Sequence, residues 1–133
     1  MEEEVKVLLI EDDDASAEMY RSRLAADGYT VIVAQDGEEG LTLAGSESPD
    51  LIYLDVRLPK KDGMQVLEQL RATPTTASVP VVILTNYGEP ELRERGIQLG
   101  ALEFLIKSDI TPASLVERTE RWSTSPGKRP VGT

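Results

Sequence analysis

A chain of 133 residues, 40% of them hydrophobic, has the size of one domain. It contains no Cys and no His, which excludes disulfides, thiol catalysis, Ser-His-Asp chemistry and zinc sites built on those ligands. A net charge of -10, from 24 acidic and 14 basic residues, disfavours direct binding to the phosphates of nucleic acid. No signal peptide is predicted and no run approaches the roughly 20 apolar residues that span a bilayer. We therefore expect a cytoplasmic protein without membrane insertion.

Strand-like and helix-like segments alternate along the N-terminal half. The apolar run VKVLLI predicts a strand that is buried on both faces. A helix is predicted from Ala15 to Ala26, with Gly28 as its stop. TVIVA is the second predicted strand, and DGEEGLTLA, which starts at Asp36, is the second predicted helix. The third predicted strand is DLIYLD, which follows Pro49.

The same alternation continues through the C-terminal half. A loop that contains Pro59, Asp62 and Gly63 precedes the third predicted helix, MQVLEQLRAT. PVVILT and LEFLI are the fourth and fifth predicted strands, and the polar helix PELRERGIQLG separates them. Thr111 is expected to cap the last helix, which runs to about Trp122.

Five strand–helix units in strict alternation favour an α/β fold, with a parallel sheet that has helices on both faces. We assign residues 1–122 to this domain. Residues 123–133 are rich in Pro, Gly and Ser and are predicted to form a flexible C-terminal tail. In open sheets of this kind, ligands bind beyond the carboxyl ends of the strands, where the strand order switches. We therefore expect the functional site at that edge.

Four consecutive carboxylates, Glu11 to Asp14, follow the first predicted strand. Like charges crowded at one strand end repel each other and gain nothing from packing. Asp13 or Asp14 is expected to cap the helix that follows. For Glu11 and Asp12, two interpretations are equally open at this point: capping or solvation, and ligation of a metal ion.

Polar side chains also stand at the ends of three other strands. Thr85 ends the fourth strand and Lys107 follows the fifth. Taken alone, Thr85 is more readily explained as a β-branched strand residue, and Lys107 as a surface lysine. Asp55 is more informative, because it ends an apolar run where its charge is partly desolvated. If strands one, three, four and five are neighbours, these groups converge with Glu11 and Asp12. Such an oxygen-rich set suits Mg²⁺, so we predict that a metal ion neutralises the acidic cluster.

These motifs make the chain similar to the receiver domain of two-component response regulators, across about residues 4 to 122. The resemblance is carried by Glu11-Asp12, by LDVRLPKKDG around Asp55, by ILT ending in Thr85 and by GALEFLIK ending in Lys107. It implies a flavodoxin-like (βα)5 fold with the strand order 2-1-3-4-5. It also implies a phosphoacceptor of a two-component system or phosphorelay, not an enzyme, although one that assists its own phosphoryl transfer and dephosphorylation.

The resemblance implies a role for each residue of the acidic cluster. Asp55 would be phosphorylated by a sensor histidine kinase, a histidine phosphotransfer protein or a small donor such as acetyl phosphate. Glu11, Asp12 and Asp55 would hold Mg²⁺ together with the backbone carbonyl of Arg57, and Mn²⁺ can substitute. Because phosphoryl transfer spreads charge over the equatorial oxygens, positioning and charge neutralisation supply most of the catalysis.

A conformational switch is implied as well. Thr85 and Lys107 would stabilise the phosphoryl group, and Phe104 would turn inward behind Thr85. In the family this shift remodels the face formed by helix four, strand five and helix five, which contacts a downstream protein partner. Core packing explains the position of Phe104 equally well.

Three features depart from the family pattern. Ser108 follows the strand-five lysine, where the family usually has Pro in a cis peptide bond, so we expect a different loop geometry. Asn86 replaces a small residue after Thr85 and is expected to narrow access to the site. Arg57 and Tyr87 occupy positions that tune the lifetime of the phosphoryl group, and we expect that lifetime to be altered.

Three other classes of protein are weighed against this interpretation. A degenerate receiver would act as a phosphorylation-independent scaffold for protein interactions, and labelling at Asp55 would exclude it. An Asp-nucleophile, Mg²⁺-dependent phosphatase is less favoured, since it would want Asp-x-Asp after its first strand; steady turnover of phosphate esters would identify it. A flavodoxin-like electron carrier needs a phosphate-cradling loop where this chain has four acids, and a colourless protein would exclude it.

Overall fold

The five apolar runs form strands, and Asp or Thr residues cap the starts of four of the five helices. In this computed structural model, which describes residues 4–123, the strands are β1 (Lys6–Ile10), β2 (Thr30–Ala34), β3 (Leu51–Leu54), β4 (Val81–Thr85) and β5 (Glu103–Ile106). The helices are α1 (Asp14–Ala26), α2 (Gly37–Glu47), α3 (Gly63–Ala72), α4 (Pro90–Gln98) and α5 (Pro112–Ser123). A short 3-10 turn, Lys107–Asp109, follows β5.

Side-chain caps set the starts of four helices. Asp13 accepts the Ser16 amide at 2.9 Å, so α1 begins one residue before the predicted Ala15. Asp36 and Asp62 cap α2 and α3 in the same way, and Thr111 accepts an amide of the first turn of α5 at 3.1 Å. These caps satisfy amides that have no partner within the helix.

All neighbouring strands are parallel, and their order is β2-β1-β3-β4-β5. This confirms the predicted (βα)5 fold and its strand order. The order reverses between β1 and β3, because the chain first adds β2 on one side of β1 and then β3 on the other. Ile10 is level with Leu54 across this pair, so the residues that follow them leave the sheet at the same height.

The buried strands explain the continuous apolar runs. Every residue of β3 is buried, and its side chains alternate between two apolar clusters. Ile52 and Leu54 pack towards α2, α3 and α4, while Leu51 and Tyr53 pack towards α1 and α5. The Tyr53 hydroxyl lies 2.7 Å from the Thr119 hydroxyl, so the one polar atom of this strand's side chains has a partner.

The last helix extends one residue beyond the predicted end. Ser123, which the sequence assigns to the tail, is buried and is the last residue of α5. The predicted flexible tail otherwise lies at residues 124–133, outside the described residues. Within residues 4–123, none of the helices is long and apolar enough to cross a membrane.

Candidate functional site: an acidic cluster at the sheet switch point

The switch in strand order brings three carboxylates together. Glu11 follows β1, and Asp55 follows the neighbouring strand β3. The backbone amide of Asp55 donates to the Ile10 carbonyl at 3.1 Å. One oxygen each from Glu11, Asp12 and Asp55 lies within 4.8 Å of the others. Glu11 and Asp55 are buried, with 2% and 6% exposure, whereas Asp12 is exposed. The predicted convergence of the cluster is therefore found in the fold.

Lys107 reaches this cluster from the edge strand β5. It follows β5, and its long side chain reaches past the end of β4 to the carboxylates. Its ammonium contacts Glu11 and lies 2.9 Å from Asp55 Oδ2. Only 8% of its side chain is exposed, so this is a buried ion-pair network. Lys107 is thus not the surface lysine that its sequence context alone suggests.

Burial controls the protonation of this network. Desolvation raises the pKa of Glu11 above its ordinary value, and the hydrogen bond from Lys107 offsets part of that effect. Desolvation also opposes the charged form of Lys107, but hydrogen bonds to Glu11 and Asp55 outweigh it and raise the lysine's pKa. With every group ionised, three carboxylates and one ammonium leave a charge of two minus, which a divalent cation would balance.

The four consecutive acids have three different structural tasks. Asp13 caps α1, and this hydrogen bond lowers its pKa, while its own amide donates to Glu11 Oε2 at 3.1 Å. Asp14 Oδ1 accepts Gln35 Nε2 at 3.1 Å from the β2–α2 loop. Asp13 is therefore the helix cap that the sequence anticipated, and Glu11 and Asp12 belong to the acidic cluster.

Thr85 is the last residue of β4, and Phe104 lies in the neighbouring β5. Thr85 is fully buried, and its hydroxyl accepts the Tyr87 amide at 3.3 Å. Phe104 points inward and is 5% exposed, among the apolar side chains on the α2–α3–α4 side of the sheet. The Arg93 guanidinium lies 5.2 Å from its ring centre. This arrangement agrees with a core role for Phe104, and its role in a switch stays a prediction.

The loops beside the cluster carry the residues that depart from the family's sequence pattern. All peptide bonds of the described chain are trans, so Lys107–Ser108 is trans within the 3-10 turn. Arg57 and Tyr87 contact each other: the guanidinium lies 4.3 Å from the ring centre. Arg57 also pairs with Glu89 at 3.6 Å. Sequence reasoning did not identify Glu89, because nothing local links it to a residue 32 positions earlier.

The chain matches one family of known proteins over most of its length. Residues 7–120 match the response regulator receiver domain family. The chain belongs to this family, whose members act in two-component systems. It spans between 15% and 49% of the length of the curated relatives that it matches.

Individual relatives agree with this assignment. Response regulator MprA of Mycolicibacterium vanbaalenii is 40% identical over 103 residues, which are 77% of this chain and 44% of that protein. The solved structure of chemotaxis protein CheY4 from Vibrio cholerae is 29% identical with a TM-score of 0.83, covering 90% of this chain and 99% of CheY4. The receiver domain of sensor histidine kinase PA1611 from Pseudomonas aeruginosa is also 29% identical, with a TM-score of 0.83. The match covers 92% of this chain and all of that one, and its structure has magnesium coordinated in the active-site cleft.

Repulsion within the cluster predicts that Asp12→Ala stabilises the metal-free protein. Two like charges near 4 Å cost about 1 kcal/mol even in water, so the free energy of unfolding should rise by about that amount. Urea unfolding in the presence of a chelator measures the gain. Asp14→Ala removes the same charge outside the cluster. Because an acidic residue in the first turn of a helix is stabilising, this variant should not raise the free energy of unfolding. Equal effects of the two variants would contradict the prediction.

Proposed function

We propose that this chain is a phosphoacceptor that is phosphorylated on Asp55 in a Mg²⁺-dependent reaction. The observation that carries the proposal is the position of Asp55: a buried carboxylate with an ammonium 2.9 Å from one oxygen and two further carboxylates beside it. A carboxylate so placed is oriented and partly neutralised before a phosphate donor arrives. Membership of the receiver family supports the same role.

The residues of the cluster fit a magnesium ion. Glu11, Asp12 and Asp55 would hold it, together with the Arg57 backbone carbonyl, and all of these are the oxygen ligands that Mg²⁺ prefers. Mn²⁺ would be accepted by the same donors. When bound, the ion would offset the repulsion between the Asp55 carboxylate and the incoming phosphoryl oxygens.

The chain's own groups would do the rest of the transfer. An Asp55 oxygen forms a bond to phosphorus while the bond from phosphorus to the donor breaks, and the donor leaves with that electron pair. The donor would be a phosphohistidine of a kinase or phosphotransfer protein, or acetyl phosphate. Lys107 is held beside Asp55 and would stabilise the charge on the transferring oxygens.

Signalling would follow from rearrangement around Thr85. Its hydroxyl oxygen now accepts the Tyr87 amide. A phosphoryl group at Asp55 would add an acceptor for the hydroxyl's own hydrogen, and Thr85 would move to donate to it. Movement of Thr85 would alter the space beside Phe104, and thus the face formed by α4, β5 and α5. That face is the proposed docking site of a downstream protein partner.

Intact mass after incubation with acetyl phosphate tests the proposal. We expect one phosphoryl increment in the presence of Mg²⁺ and none after addition of a chelator. No increment under any condition would instead identify a receiver that acts as a phosphorylation-independent scaffold. Steady release of phosphate from unrelated phosphate esters would indicate a phosphatase.

Removing either partner of the Arg57–Tyr87 stack should shorten the lifetime of the phosphoryl group. The stack joins the loop after β3 to the loop after β4, and both residues flank the cluster through backbone amides that donate to Asp55 and Thr85. Cation–π contacts of this kind contribute about 0.5–1 kcal/mol, which corresponds to about 2- to 5-fold faster phosphate release.

A time course of phosphate release measures this for Arg57→Ala, Tyr87→Ala and the double variant. Because the two residues act through one contact, the double variant should match the single ones. Release at the wild-type rate from both single variants would exclude a role for the stack.

A further inference from the structure

The loop between β3 and α3, residues 55–62, rests on the first turn of α2. The Gly37 amide donates to the Pro59 carbonyl at 3.4 Å, and Lys60 pairs with Asp36 at 3.6 Å. This loop carries the Arg57 carbonyl, the one proposed metal ligand that is not a carboxylate. Helix α2 itself contributes no ligand to the proposed site.

Close approach of the loop to α2 depends on the absence of a side chain at Gly37. A Cβ atom at this position would lie 2.1 Å from the Lys61 carbonyl oxygen and 2.9 Å from Val66 Cγ2. Gly37 is not one of the described glycines with a positive φ, so its backbone conformation does not require glycine. The requirement comes from the approach of the loop backbone, which cannot rotate out of the way as a side chain could.

The loop has little freedom to adjust at its other contacts. Lys60 has a φ of 67°, a left-handed conformation that a residue with a side chain rarely adopts. The Gly63 amide donates to the Val56 carbonyl at 2.6 Å, which ties the end of the loop back to its start. A push from α2 would therefore be transmitted along the loop to Arg57.

We propose that Gly37 is a positioning residue for the metal site. It allows the loop to pack against α2 and thereby sets where the Arg57 carbonyl lies relative to Glu11 and Asp12, which follow β1. This inference rests on the proposed function, because it assumes that the Arg57 carbonyl is a ligand. Helix α2 would thus contribute to metal binding only by the space that it leaves for the loop.

The test compares Gly37→Ala with Gly45→Ala, which lies in the same helix with no described atom within 4 Å of an added Cβ. Calorimetric titration with Mg²⁺ alone should show about 10-fold weaker binding for Gly37→Ala, which is typical when a group that orients a metal ligand is changed. Gly45→Ala should bind Mg²⁺ as the wild type does. With acetyl phosphate, Gly37→Ala should need more Mg²⁺ for half-maximal phosphorylation and should reach a plateau near the wild-type rate.

A second variant covers the case in which Gly37→Ala does not fold. Lys60→Gly changes the loop and leaves α2 intact. It removes the ion pair with Asp36, and glycine adopts the positive φ of this position without strain, so the loop is held less firmly. It should weaken Mg²⁺ binding by a few-fold. Wild-type Mg²⁺ affinity in the folded variants, whatever their melting temperatures, would overturn the inference. If the wild-type protein itself bound no Mg²⁺, the proposed function would fail, and the positioning role with it.

Discussion

Asp55→Asn is expected to take up no phosphoryl group from acetyl phosphate at any Mg²⁺ concentration. The amide keeps the size of the carboxylate and an oxygen that can accept from Lys107, so the fold should be retained. It lacks the negative charge and the nucleophilicity that bond formation to phosphorus needs. Burial at the end of β3 places Asp55, unlike the exposed Asp12, where a donor would be held away from bulk water.

Intact mass with and without Mg²⁺ provides the measurement. Asp109→Asn is a matched control, because Asp109 is an exposed aspartate in the turn that follows β5, at the same edge of the sheet. This control should be labelled as fully as the wild type. An increment of unchanged size on Asp55→Asn would place the phosphoryl group on another carboxylate and overturn the assignment of Asp55.

Lys107→Ala is expected to have the second large effect, on both stability and phosphorylation. Its removal leaves Glu11 and Asp55 buried and close together without their shared cation. Breaking a buried ion pair by removing one partner costs about 3 kcal/mol or more, so metal-free protein should unfold at much lower urea concentration. Loss of one charge-stabilising group should also slow phosphorylation about 100-fold at saturating Mg²⁺.

Addition of Mg²⁺ and the variant Lys107→Arg distinguish this electrostatic explanation from a loss of side-chain packing. Mg²⁺ should recover part of the lost stability of Lys107→Ala, because it supplies positive charge to the same carboxylates. Lys107→Arg retains the charge and should lose less stability. If Mg²⁺ stabilised the wild type and Lys107→Ala by the same amount, and the Arg variant were as unstable as the Ala variant, the electrostatic account would be wrong.

The pKa of Glu11 gives the expected sign of a pH effect. The pKa of Glu11 in the folded protein lies above its ordinary value of 4.5. Ionisation of Glu11 therefore destabilises the fold as the pH rises from the pKa of the unfolded state to the higher pKa of the folded state. The metal-free protein should therefore lose stability over that interval through this group, and Mg²⁺ should oppose the loss. Carboxylates with lowered pKa, such as the cap Asp13, act in the opposite direction at lower pH.

Hydrophobic pattern and residue type were enough to predict the strands, the helices and the chemical nature of the site. Apolar runs such as LIYL become strands because both of their faces are covered, and Asp13, Asp36 and Thr111 begin helices through bonds to amides a few residues away. These are local effects, and hydrophobic pattern and capping chemistry report them directly. The carboxylates and the lysine were also visible as residues that follow strands.

Contacts between loops and helices that are distant in the chain could not be predicted from local sequence patterns. Arg71 is an example: its guanidinium donates to the carbonyls of Leu99 and Gly100, in the loop before β5. The Arg57–Glu89 pair and the approach of the loop to Gly37 likewise join segments that are far apart in the chain. No periodicity encodes such contacts, because they depend on which loops the strand order places side by side.

Lys107 combines both kinds of information. Its position after a strand identified it as a candidate, although its context in the chain, taken alone, favoured a surface lysine. The order β1-β3-β4-β5 puts its ammonium against Glu11 and Asp55, and burial then makes that contact strong. Residue chemistry is set by the sequence, whereas distance and desolvation, on which electrostatic energy depends, exist only once the strands have been ordered.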